Sequence, residues 1–189
     1  MDEIKEAAKI INQATKPLIL VGQGITLSNA EEEVLKLAEI SNTPIASTLL
    51  GLSAVKCDHP LYVGYLGMHG NYGPNIKTNE CDVLLAIGMR FDDRVTGDLK
   101  TYAKQAKILH FEIDPSEINK NKPAHIPIVC DVKDALQQLL PLMEYKDEIG
   151  DWRTQCQHWK QENPLIGGAY LVLIYTLTIS PFHHYKSDW

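Results

Sequence analysis

Short apolar runs alternate with amphipathic segments along this chain. Over residues 2–14, Ile4, Ala7, Ala8 and Ile11 recur at helical spacing, and the pattern breaks at Lys16-Pro17. Pro17 to Val21 (PLILV) is continuously apolar, as in a strand buried on both faces. Ser28 is placed to cap a helix carrying Glu31, Glu32 and Glu33 in its first turn, where negative charge suits the helix macrodipole. The inward stripe of that helix is Val34, Leu37, Ala38 and Ile40. Pro44 to Leu50 reads as a second strand entering a loop, and a glycine-punctuated stretch from Gly64 to Gly73 leads to a helix over 74–79. Asp82 to Gly88 (DVLLAIG) is the clearest strand pattern, followed by strands at Ile108 to Asp114 and Ile126 to Val129. Asp131 is placed to cap a last helix with Val132, Ala135, Leu136, Leu139 and Leu140 inward.

Strand-helix alternation with strands that do not alternate in polarity predicts an α/β fold. The expected architecture is a doubly wound, mostly parallel, Rossmann-like sheet of five or six strands, taken as six, with helices on both faces. From Tyr145 to Asn163 the chain is polar, with Trp152 and Trp159 seven residues apart on a helix or a linker. Ile166 to Ser180 is apolar but too short to span a bilayer. The reading is one domain over residues 1–163 and a tail over 164–189 that is not part of it, left by truncation or artificially added.

Composition narrows the function classes. The 189 residues carry 18 Lys plus Arg against 24 Asp plus Glu, a net charge of −6, with 44% hydrophobic and 22% charged residues. That is a globular balance, and the absence of a dense basic block argues against nucleic acid or a membrane surface as partner. Cys57, Cys81, Cys130 and Cys156 lie 24, 49 and 26 residues apart, which fits no zinc pattern and reads as buried reduced thiols. Reduced thiols and an acidic start without an apolar core point to a cytoplasmic protein with no resident metal.

Ligands of open parallel sheets bind beyond the carboxyl ends of the strands, and the unusual clusters of this chain fall at such ends. Gly22-Gln23-Gly24 follows the first strand as a partial glycine turn. A dinucleotide fingerprint calls for a small residue where Leu27 stands and an acid where Ser47, Thr48, Leu49 and Leu50 stand, which weakens an NAD reading. Gly64-Tyr65-Leu66-Gly67-Met68-His69-Gly70-Asn71-Tyr72-Gly73 is either a backbone-rich loop offering N–H donors to a diphosphate or a flexible surface loop. Gly88-Met89-Arg90-Phe91-Asp92-Asp93-Arg94-Val95-Thr96-Gly97 is either an internal lattice of ion pairs or a grip for phosphate or carboxylate. Glu112-Ile113-Asp114 and Asp131-Val132 could receive ribose hydroxyls or an adenine amino group, with helix capping the alternative for Asp131. No Gly-Asp-Gly with a downstream Asn, GxxxxGK[ST], HExxH or GxSxG is present, so no catalytic set is complete.

Together these clusters resemble the central domain of the acetolactate synthase (acetohydroxyacid synthase) large catalytic subunit. The matching pieces are Lys16-Pro17 with its strand and glycine turn, STLLGL from Ser47, LGMHG from Leu66, RFDDRVTG from Arg90, HFEIDP from His110, and Asp131-Val132. They occur in the family's order over roughly residues 1–163.

The resemblance implies a DHS-like NAD/FAD-binding domain that here holds FAD without net redox chemistry. The parent enzyme condenses pyruvate with a second 2-ketoacid, releasing CO2, in branched-chain amino-acid biosynthesis. Thiamine diphosphate and Mg²⁺ sit between outer domains that this chain lacks, so the chain alone is expected to be inactive. Other domains, a second copy of the subunit and a small regulatory subunit are the implied partners. By position, Gly22, Gln23 and Gly24 would line the diphosphate and ribityl region, and Thr48, Leu49 and Leu50 the flavin side. Leu66, Gly67, Met68 and His69 lie nearby, and Gly88, Arg90, Asp92, Arg94 and Val95 continue the wall. Glu112, Ile113, Asp131 and Val132 would hold the adenosine end. Met68 and Arg94 match residues next to the substrate, and Gln23 departs from the small residue usual in the family. The competing readings are a scaffold-only central domain of another thiamine-diphosphate decarboxylase and an NAD-binding regulatory module.

Overall fold

A computed structural model describes residues 2–147 and 151–162. Its centre is a six-stranded sheet of β1 (Pro17–Val21), β2 (Ile45–Ser47), β3 (Tyr62–Tyr65), β4 (Val83–Ile87), β5 (Lys107–Glu112) and β6 (Ile126–Val129). The strand order is β3-β2-β1-β4-β5-β6 and every pairing is parallel, so "mostly parallel" becomes wholly parallel. That order reverses direction between β1 and β4, which defines the switch point of a doubly wound sheet.

Two apolar layers explain why the strands lack alternation. Ile19 and Val21 of β1 pack with Leu85 and Ile87 of β4 under α1 (Asp2–Gln13), the short α2 (Gly24–Leu27), α3 (Glu31–Ser41) and α6 (Val132–Leu139). Leu18, Leu20, Leu84 and Ala86 face the opposite layer, which is closed by α4 (Tyr72–Thr78) and α7 (Trp152–Glu162). At the amino edge, the Asp82 carboxylate accepts from the N–H groups of Thr15 (2.7 Å) and Lys16 (2.9 Å), pinning the start of β1 beside β4. Within the polar segment over 145–163, residues Trp152–Glu162 form a helix, anchored by Trp152 and Cys156.

Several boundaries differ from the reading of the sequence. Ser28 does not cap the long helix: the glycine turn passes straight into α2, where Ser28 is the C-cap and its hydroxyl donates to Gly24 O (2.7 Å). Asn29 then turns the chain at φ 52°, and α3 starts after Ala30 without a side-chain cap. Strand β2 stops at Ser47 and gives way to a 3-10 turn over Leu49–Gly51. Strand β3 has no apolar run to mark it, because it is an edge strand of four residues with Gly64 at φ 114°. Helix α4 begins at Tyr72, two residues before the expected start. Cys57 is exposed and Cys130 half-buried, so only Cys81 and Cys156 are buried thiols, and burial pushes Cys156 up to about 12. The tail over 164–189 lies outside the described residues, within which no helix is long and apolar enough to cross a membrane.

Candidate functional site

Because all six strands run the same way, the segments singled out from the sequence leave the sheet at a single edge. The two innermost loops touch. Gly22 N–H donates to Ile87 O and Gly24 N–H to Gly88 O, both at 2.9 Å. A Cβ at Gly22 would lie 2.2 Å from Gly88 O, and one at Gly24 would lie 2.6 Å from Gly88 Cα. The glycines thus let the β1 and β4 loops cross at backbone contact, with Gly88 at φ 60°. Gln23 projects from this crossing into solvent, and Thr48 N–H joins the β2 loop to it by donating to Val21 O (2.9 Å).

The glycine-rich loop after β3 is tightly tied, not a loose surface loop. Leu66 N–H donates to Ser47 O (2.9 Å), Met68 N–H to Arg94 O (2.8 Å), Gly70 N–H to Gly67 O (3.0 Å) and Asn71 N–H to Tyr65 O (2.7 Å). Gly67 N–H donates to the side chain of Asn75 (3.0 Å). These five donors are satisfied by protein acceptors. Leu66 and Val132 turn their side chains into the two cores and can offer a ligand only backbone atoms, while His69 is exposed.

The charged loop after β4 is not a lattice of ion pairs. Asp92 caps the short α5 (Asp93–Thr96), accepting from Val95 N–H (3.1 Å), and Val95 packs on the core. Arg90 and Arg94 are exposed and make no ion pair among the described residues, although Arg94 Nη1 lies 3.5 Å from Met68 Sδ. At the other end, Glu112 Oε1 accepts from the N–H groups of Ile113 (2.9 Å) and Asp114 (3.2 Å). Asp131 Oδ1 accepts from Lys133 N–H (2.8 Å), so capping does occur there. Hydrogen bonds from Ser116 hold the Asp114 carboxyl below its usual range. No group of three His, Cys, Asp or Glu suited to a metal occurs among the described residues.

Sequence reasoning assigned no role to His110, Asn71 or Asn75. The last two sit four apart, Asn71 as the N-cap of α4 and Asn75 within it. His110 is fully buried on β5, with Nε2 2.9 Å from Met89 O and Phe91 edge-on at 4.9 Å. Nε2 therefore carries the proton, and Nδ1 has no partner among the described residues. Burial lowers the imidazole's pKa, opposed by the bond to Met89. The unfolded chain takes up a proton near pH 6.5 that the folded chain binds only at lower pH. Stability is accordingly expected to fall as pH drops below about 6.5, by up to about 1.4 kcal/mol per pH unit from this group. Urea unfolding between pH 7.5 and 5 checks this, and His110→Phe should flatten the slope in that window.

The fold and the loop edge define a doubly wound domain of the kind that presents a ligand-facing rim at a switch point. More particularly, residues 4–139 match the family described as thiamine pyrophosphate enzyme, central domain, and the chain belongs to that family. It is 50% identical over 149 residues to a probable acetolactate synthase large subunit of Methanocaldococcus jannaschii, covering 77% of this chain and 25% of that protein. It is 47% identical over 161 residues to the probable acetolactate synthase large subunit of Methanococcus aeolicus, covering 79% and 27%. Against acetolactate synthase isozyme 2 large subunit of Escherichia coli (strain K12) the identity is 38% over 161 residues, covering 85% and 29%. The chain spans about a quarter of the length of these curated relatives.

Proposed function

We propose that this chain is the FAD-holding central domain of an acetolactate synthase large subunit. The whole enzyme would use thiamine diphosphate and Mg²⁺ to join pyruvate to a second 2-ketoacid with loss of CO2, in branched-chain amino-acid biosynthesis. The likeness to large subunits of that name supports the enzyme class. The observation that carries the FAD assignment is the chemistry of the rim. Leu49, Leu50 and Ile113 are 60%, 63% and 65% exposed at the ends of β2 and β5, and the guanidinium groups of Arg90 and Arg94 lack ion-pair partners among the described residues. Exposed apolar side chains and guanidiniums carried on loops at one sheet edge suit a ligand that joins a flat apolar ring to a diphosphate. FAD would supply that ring and diphosphate, with Leu49 and Leu50 along the flavin and Arg90 and Arg94 on the charged side. Glu112, Ile113 and Asp131 would meet the adenosine, and Met68 and Arg94 would border the substrate.

The remaining domains, a second copy of the subunit and a small regulatory subunit belong to the same proposal, as does a cytoplasmic location, which suits four free cysteines. The scaffold-only reading has an observation of its own, the consumption of the glycine-loop donors by protein acceptors. Equilibrium dialysis of the chain against FAD and, in parallel, NAD separates the readings. FAD retained in preference to NAD is expected, with no acetolactate formed from pyruvate, thiamine diphosphate, Mg²⁺ and FAD. Retention of neither dinucleotide would favour the scaffold, and equal retention would favour the NAD module.

A further inference from the structure

One side chain fixes the peptide on which the β3 loop turns. Gly67 has φ 110°, and a Cβ there would lie 2.6 Å from Arg94 O, so the backbone passes Arg94 at contact distance. Asn75 of α4 holds both peptide groups that flank the Gly67 Cα. Its Oδ1 accepts from Gly67 N–H (3.0 Å), while Nδ2 donates to Gly67 O (3.1 Å) and to Asn71 O (2.9 Å). Only one orientation of the carboxamide satisfies all three bonds, because a reversed amide would set its oxygen against two carbonyls. The next residue, Met68, donates its N–H to Arg94 O and presents Sδ to Arg94 Nη1. The helix that carries Asn75 is itself held fast: Gly73 abuts Trp159, and buried Lys77 pairs with Glu80 (2.6 Å) over the ring of Trp152 (5.1 Å).

We propose that Asn75 is a positioning residue that sets Met68, and through it the Arg94 guanidinium, at the rim of the cofactor site. The local geometry stands without a ligand, and its consequence for FAD rests on the function proposed above. Asn75→Ala removes all three bonds, whereas Asn75→Asp is isosteric and keeps the acceptor for Gly67 N–H while losing both donors.

The test uses the full chain labelled with ¹³C at its four methionine methyls, together with amide hydrogen exchange and FAD titration. The Met68 methyl resonance is expected to move in both variants, with those of Met89 and Met143 unmoved. Exchange at Gly67 N–H should accelerate about tenfold in Asn75→Ala and little in Asn75→Asp, and FAD affinity should fall about tenfold in both. An unmoved Met68 resonance, or all methionines shifting together with the melting temperature, overturns the proposal. A shifted Met68 with unchanged FAD affinity overturns its role at the site. If no variant and not the parent binds FAD while Met68 responds as stated, the positioning stands and the cofactor reading falls.

Discussion

Gly22→Ala is expected to destabilise the chain by about 3 kcal/mol, at the upper end of the usual range for overpacking. The new methyl would sit 2.2 Å from Gly88 O and 2.4 Å from Met89 Cβ. Relief would require the β1 and β4 loops to separate. Both strands are central in the sheet, and the loops are joined by the Gly22–Ile87 and Gly24–Gly88 hydrogen bonds. Gly88 is packed as closely from its own side, since a Cβ placed there would meet Gly24 Cα at 2.7 Å. Urea denaturation checks the expectation, with Gln23→Ala as the neighbouring control. Gln23 is exposed, so its loss should change stability by no more than about 0.5 kcal/mol. Equal midpoints for the two variants would show that the loop crossing is looser than this contact requires.

The same crossing shows what the sequence could disclose. A GxG after an apolar strand can mean a ligand loop or a tight turn, and here its amides and its missing side chains serve the contact with Gly88. Nothing in residues 22–24 announces that partner, because it arrives 64 residues later through the sheet. The apolar strands were legible because burial on both faces leaves no polar positions, as in Leu84, Leu85 and Ala86. Strand β3 was not, since an edge strand of four residues, YVGY, is buried but too short and too broken by Gly64 for periodicity to detect. The rim followed from topology: once the sheet is parallel, Leu49, Arg94 and Ile113 must emerge on one edge. Which of those side chains are spoken for does not follow from sequence. Asp92, Glu112 and Asp131 look alike as acids at strand ends, yet each spends an oxygen on neighbouring backbone N–H groups.

Trp152→Ala is expected to have the other large effect, a loss of about 3–5 kcal/mol, typical of truncating a buried aromatic. Trp152 is 2% exposed and opens α7, which begins 13 residues beyond the family match ending at residue 139. Its indole Nε1 donates to Pro17 O (2.8 Å), the first residue of β1, so truncation empties a core site and strands a buried carbonyl. Lys77 loses the ring beneath its ammonium at the same time. Trp152→Phe keeps an aromatic body without the donor, and should fall between parent and alanine with a loss of about 1–2 kcal/mol. Thermal or urea melts of the two variants separate packing from hydrogen bonding. A helix that merely trails from the domain would leave both melts at the parent's midpoint. A large loss means that α7 backs α4, so the Asn71 and Asn75 carboxamides that hold the β3 loop depend on a helix outside the matched segment.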